Sequence, residues 1–240
     1  MERKEVSRAA DGGIVVARQV TKVYDTGAIQ VPALRGVDLS VQTGEMVAIM
    51  GPSGCGKTTL LNVLSGIDEP TSGEVYIAGR PLGLMSDNDK TDFRAQRIGF
   101  VFQSYNLLPV LTAVENVELP LLVLGRDSKE SRRKALEALE AVGLGDQATK
   151  RPMEMSGGQQ QRAAIARSLV NDPDIVFADE PTGNLDSETT AEVVGLIRQL
   201  NRDRRQTFVT VTHDPEVSRQ CRRIVKMRNG RIERELRPEA

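Results

Sequence analysis

Nine consecutive residues, Gly51-Pro52-Ser53-Gly54-Cys55-Gly56-Lys57-Thr58-Thr59, carry the types and spacing that phosphate chemistry needs. A glycine, four residues, then Gly-Lys-Thr fits the phosphate-loop pattern at every fixed position. Glycines allow a tight turn in which successive backbone N–H groups point inward at phosphate oxygens. The start of the following helix adds the positive end of its dipole. Lys57 can reach the β- and γ-phosphates, and the Thr58 hydroxyl can complete a Mg²⁺ shell. Met46–Met50 before the loop and Leu60–Leu64 after it read as strand and helix, the context such a loop requires. The expected ligand is a nucleoside triphosphate.

Two carboxylates end the apolar strand Asp174-Ile175-Val176-Phe177-Ala178-Asp179-Glu180. Asp179 is placed to hold Mg²⁺ through water opposite the loop, and Glu180 to polarise an attacking water as general base. Buried strands often finish in surface acids, so this pair takes its meaning from the loop. Farther on, Met155-Ser156-Gly157-Gly158-Gln159 precedes an expected helix over 160–170. Ser156 and Gln159 have capping-box spacing, and the same glycine-rich helix start offers bare N–H donors to an anion. His213, the single histidine, follows the apolar run Phe208–Thr212. A lone histidine is more often structural than catalytic.

These residues need elements to position them. The chain has 240 residues, enough for one large domain or two intimate subdomains, and 39% hydrophobic content supports a core. Its 32 basic and 33 acidic side chains leave a net charge of −1, with no bias toward nucleic acid or anionic lipid. Two cysteines, one of them in the loop, argue against a disulfide framework and for a reducing compartment. No apolar run approaches the roughly 18 residues of a membrane span, and the charged N-terminus does not resemble a signal peptide.

Residues 1–12 read as polar and frayed, Ile14–Val23 as a strand, and Asp25-Thr26-Gly27 as a turn. Two strands are expected within 29–49 around a turn at Thr43-Gly44-Glu45, then short strands at Glu74–Ala78 and Arg97–Phe102. Leu107–Leu169 is mostly helical in pattern, with Ser128 as an N-cap and Leu136, Leu139 and Val142 on one face. Strand signals return at Ile175–Ala178 and Thr207–Thr212 around a helix Ser187–Arg202, and Arg223–Glu235 reads as a hairpin about Asn229-Gly230. Gly51, Gln103, Asp179 and His213 then all fall at the C-terminal end of an expected strand, the edge where open parallel sheets bind ligands.

The segment 155–159 resembles the signature sequence of ABC (ATP-binding cassette) ATPases, with Met155 in place of the usual leucine. Met is a soft apolar substitute that fills a similar core gap. The resemblance covers about Ile14 to Glu235. It implies an α/β phosphate-loop NTPase fold: a mainly parallel sheet core with an antiparallel β subdomain, over about 14–103 and 171–235, and an inserted helical subdomain over about 104–170. It implies ATP and Mg²⁺ as cofactors, with Thr58, Gln103 and Asp179 at the metal and Lys57, Gln103, Glu180 and His213 as the catalytic set. Residues 51–59 would hold the phosphates, and Tyr24 would stack on adenine, although a strand tyrosine is unremarkable by itself. Ser156, Gly157, Gly158 and Gln159 would contact the γ-phosphate held by the other subunit of a head-to-tail homodimer, with Asp186 of Asn184-Leu185-Asp186 at that interface. Read alone, that last segment is a polar helix start.

Within the family, Ala178–Ser187, Met50–Gly54 and Phe102–Pro109 are similar to the branch of lipoprotein-releasing, macrolide-exporting, peptide-resistance and cell-division ATPases. The branch implies an integral membrane permease with a large extracytoplasmic domain, no nucleic-acid partner, and a place on the cytoplasmic face of the cell membrane. The rival readings are a cell-division regulator acting on cell-wall enzymes, a nutrient-importer subunit, and a DNA-repair ATPase. The last would carry a long coiled coil between loop and signature, and no sustained heptads lie there. Cys55 by a helix start could be a reactive thiol, but a small tolerated loop residue is the commoner case. The basic run Arg219, Arg222, Arg223, Lys226, Arg228, Arg231, Arg234 lacks aromatics and reads as a solvated hairpin face.

Overall fold

The computed structural model describes residues 12–25, 27 and 29–238. Apart from Gly12, the expected frayed start lies outside the described residues, as does Thr26 of the expected turn. Asp25 Oδ1 does accept from the Gly27 N–H at 2.7 Å, the local bond of an Asx turn.

Two sheets organise the chain. The first is antiparallel, in the order β2-β1-β4-β5, from β1 (Val15–Asp25), β2 (Gln30–Val41), β4 (Ser72–Ile77) and β5 (Arg80–Pro81). The second runs β10-β9-β3-β8-β7-β6, from β3 (Met46–Met50), β6 (Ile98–Phe102), β7 (Ile175–Asp179), β8 (Thr207–Val211), β9 (Arg223–Arg228) and β10 (Arg231–Leu236). All its pairings are parallel except β10 with β9. Every residue of β3 is buried, as expected of a parallel strand covered on both faces.

Alternate residues of that sheet serve different cores. Val47, Ile49, Ile175, Phe177, Val209 and Val211 join one cluster with α1 (Lys57–Leu64) and the inner face of the antiparallel sheet. Met46, Ala48, Met50, Val176, Ala178 and Phe208 join another. Its remaining walls include α3 (Ala113–Val123), α4 (Ser128–Ala141), α5 (Gly157–Leu169) and α6 (Ser187–Arg204). Met155 is buried in this second cluster, filling the position where the family usually places leucine.

Three expectations need correction. The cap of α4 is Asp127, which accepts from the Lys129 and Glu130 N–H groups at 3.0 Å; Ser128 is already the first helical residue. The helix expected over 160–170 starts earlier, at Gly157, because Ser156 caps it. The basic C-terminal run is not uniformly solvated. Arg223 is buried and holds Glu45 at 2.7 and 3.0 Å, Glu235 at 3.0 Å and the Ser40 carbonyl at 2.5 Å. Its strand β9 is an inner strand of the parallel sheet, not merely half of a hairpin.

Two helices had no clear signal in the sequence. α2 (Asp87–Arg97) buries only Phe93, and α7 (Pro215–Arg219) is a single short turn capped by Asp214.

Candidate nucleotide site

The loop after β3 is built by two close approaches that exclude a side chain. A Cβ at Gly51 would lie 2.3 Å from the Met227 carbonyl, and one at Gly56 would lie 2.5 Å from the Ala33 carbonyl. Gly56 also has φ 101°, which L side chains rarely adopt. α1 starts there with no side-chain cap, so no side chain competes for its first N–H groups. Lys57 Nζ folds back onto the Gly51 and Pro52 carbonyls at 2.9 and 3.0 Å. Cys55 is buried with its Sγ against Gly51, which suits a small residue filling the loop.

Parallel register brings the other strand ends to the same edge. Asp179 pairs with Val211 of β8 and with Phe102 of β6, so Gln103, Asp179, Glu180 and His213 emerge together. The Thr58 hydroxyl donates to Asp179 Oδ1 at 3.3 Å. Burial pushes the Asp179 carboxyl above its usual range, and Glu180 adds to that push while Thr58 and Lys57 oppose it. A hydroxyl and a carboxylate disfavoured in its charged form suit a hard cation with oxygen ligands, so these residues fit Mg²⁺.

Glu180 has φ 46°, an uncommon conformation for a residue with a Cβ. Its carboxylate meets His213 Nδ1 at 2.9 Å and accepts from the His213 backbone N–H at 3.3 Å. Gln103 reaches across to Asn184: its Nε2 donates to Asn184 Oδ1 at 3.1 Å, and Asn184 Nδ2 donates to the Gln103 carbonyl at 3.0 Å. The sequence placed Asn184 only in a polar helix start, within the segment that resembles the family's dimer interface, and did not show its pairing with Gln103. Arg167 of α5 donates to the Tyr105 and Asn106 carbonyls at 2.8 and 2.5 Å, holding two successive residues with positive φ; no sequence signal marked it.

Tyr24 stands at the end of β1, partly exposed, with its hydroxyl donating to Asp68 at 2.8 Å and Lys22 Nζ 4.9 Å from its ring centroid. Burial and the Asp68 bond raise its phenol above the ordinary range.

Ser156 and Gln159 form the reciprocal capping box, with the Gln159 N–H donating to Ser156 Oγ at 3.3 Å and the Ser156 N–H to Gln159 Oε1 at 2.9 Å. The groove they line is walled by Gln147, Arg162, Thr189 and Glu192, and none of residues 51–59 lines it. Asp186 caps α6 through the Thr189 N–H at 2.9 Å and its hydroxyl at 2.7 Å. One chain thus gathers the loop, Asp179, Glu180 and His213, and opens the signature segment onto a different groove.

The sequence model of the ABC transporter family matches residues 34–183, more than half of the chain. The chain belongs to the ABC transporter family. It is an ATP-binding subunit of that family, and an ATPase. It is 48% identical over 233 residues to the lipoprotein-releasing system ATP-binding protein LolD of Xanthomonas campestris pv. campestris (strain 8004), covering 96% of this chain and 97% of the relative. An uncharacterized ABC transporter ATP-binding protein of Thermotoga maritima is 53% identical over 214 residues, covering 89% and 91%. Among solved structures, the ATP-binding cassette MJ0796, described as a dimer in a post-hydrolysis state bound to ADP and Pi, superposes with TM-score 0.86 at 45% identity. That match covers 94% of this chain and 99% of the other. The ABC ATPase fold expected from the sequence is therefore the fold of this chain.

Proposed function

We propose that this ABC ATPase works as a head-to-tail dimer whose ATP-driven closure moves a membrane permease, in the lipoprotein-releasing branch of the family. One observation supports the dimer: the groove lined by Ser156, Gly158 and Gln159 includes none of residues 51–59, and on this reading a second chain brings its loop to the signature segment. Support for the branch comes from the LolD relatives at 48% identity. No helix among the described residues is long and apolar enough to cross a membrane, so on this reading the ATPase sits on the cytoplasmic face and is held there by the permease.

In the mechanism, N–H groups of residues 51–59 cradle the phosphates, and Lys57 exchanges the Gly51 and Pro52 carbonyls for the β- and γ-phosphates. Tyr24 stacks on adenine. Mg²⁺, held by Thr58 and, through water, Asp179 and Gln103, would neutralise charge between the phosphates. Glu180 accepts the proton of the attacking water, and His213 orients Glu180 and the γ-phosphate. Ser156 and the N–H groups of Gly157 and Gly158, with Gln159 capping the helix, meet the partner's γ-phosphate, and Asp186 lies at the interface. Gln103, just past the end of β6, links the site to the permease.

The test is to purify tagged Glu180→Gln protein from detergent-solubilised membranes in ATP and identify what accompanies it. A permease with few spans and a large external domain is expected. A many-spanning permease without such a domain would move the protein to the importers, and ribosomes or DNA in place of a permease would end the transporter reading.

A further inference from the structure

The helix that begins at the signature segment is fastened to the catalytic turn of its own chain. Gln161 is fully buried on α5, and its Nε2 donates to the Pro181 carbonyl at 2.5 Å. Its Oε1 is also buried and has no hydrogen-bond partner among the described residues. Leaving a buried amide oxygen unpaired is costly, and an apolar side chain of similar volume would avoid that cost. The position is therefore explained by the donor it supplies rather than by packing.

What that donor holds is the residue after Glu180. Glu180 has φ 46°, and such a conformation persists only where the surroundings over-determine it. The Glu180 N–H donates to the Val211 carbonyl at 2.9 Å, and the Gly183 N–H donates to the Glu180 carbonyl at 3.0 Å. Those two bonds come from the neighbouring strand and from the turn itself. Gln161 adds a third from a separate helix, at the next carbonyl along the chain.

We propose that Gln161 is a positioning residue for ATP hydrolysis, fixing the Pro181 carbonyl and thereby aiming the Glu180 carboxylate. This deepens the reading above, because α5 then starts at one nucleotide and steadies the base at the other. Seating of the partner's ATP against Ser156 reaches Glu180 through a single rigid helix.

The experiment compares steady-state ATPase kinetics of the wild type with Gln161→Met, which keeps the volume and removes the amide. Expected is a fall in kcat of at least about tenfold with KM within about twofold, since the turn's placement affects chemistry rather than nucleotide binding. Gln161→Glu, whose carboxyl stays protonated when buried and can donate to the same carbonyl, is expected to keep kcat within about threefold. If Gln161→Met does not accumulate as folded protein, Gln161→Asn, one methylene too short to reach Pro181, is expected to show the same loss. An unchanged kcat in the Met or Asn variant overturns the proposal, as does an equal loss in the Met and Glu variants. A failed dimer is a separate result: Glu180→Gln protein that stays monomeric in ATP, beside a Gln161→Met variant that still loses kcat, removes the head-to-tail reading and leaves the role of Gln161 standing.

Discussion

His213 and Glu180 meet through two contacts: imidazole Nδ1 lies 2.9 Å from Oε1, and the His213 backbone N–H donates to Oε2 at 3.3 Å. A proton on Nδ1 makes the first contact a donated bond and leaves Nε2 free to face a phosphate. The carboxylate is mostly buried while the imidazole is largely exposed, so the histidine also limits how far the acid can swing. Replacing Glu180 with Gln removes the proposed base but keeps the shape, and kcat is expected to fall by about 10²–10⁴-fold. His213→Ala loses the orienting partner, with a fall of about 10²-fold expected from misplacement alone. ATPase assays beside nucleotide titrations check both, and retained ATP affinity in both variants is part of the expectation.

Among the described residues, the hydrogen bonds of Lys57 Nζ go to the Gly51 and Pro52 carbonyls of its own loop, so its removal should spare the fold and reduce nucleotide binding. Hydrogen bonds to charged groups contribute about 1.5–3 kcal/mol, so Lys57→Ala is expected to weaken ATP affinity at least about tenfold. Calorimetric titration measures it; undiminished affinity would mean that the loop does not bind the phosphates.

The strand ends, the loop and the turn chemistry were legible because each rests on a local rule: apolar runs for buried parallel strands, and fixed glycine positions for the loop. α2 was not, because its single buried residue, Phe93, leaves no apolar period to read. Arg223 was misread for a related reason. Charge counted along a sequence does not show that one guanidinium lies under β10 facing Glu45. Gln161, Asn184 and Arg167 act through contacts with residues 20, 81 and 61–62 positions away, and no spacing rule reaches that far.

Arg223 ties β9 to the turn before β3 through Glu45 and to β10 through Glu235. Removing one partner of a buried pair costs about 3–5 kcal/mol because the other charge stays behind. Arg223→Met is therefore expected to lower unfolding stability by roughly 3 kcal/mol, and Arg223→Met with Glu45→Met to recover much of that. Urea unfolding of the four proteins in the cycle decides it; a double variant no better than the single one contradicts the pairing.

Glu118 lies buried on α3, with its Oε2 2.9 Å from Arg132 Nε. Burial raises its carboxyl above the usual range despite that arginine. The folded state therefore binds this proton more tightly than the unfolded chain does. The stability it contributes is complete below the ordinary glutamate pKa and is lost as pH rises through the raised folded value. Glu118→Gln is expected to melt higher than the wild type at neutral pH, with the gap closing in acid. Melting temperatures across pH test this, and a gap that widens toward low pH would reverse the sign.

On the proposed function two chains complete each site, with Ser156 of one serving the ATP held by Lys57 and Glu180 of the other. The most direct measurement is the solution mass of Glu180→Gln protein with and without ATP and Mg²⁺. The expected result is a shift from the single-chain mass of 26.3 kDa to twice that value on adding ATP, abolished by Ser156→Arg. A protein that binds ATP yet keeps the mass of one chain would rule out the shared sites.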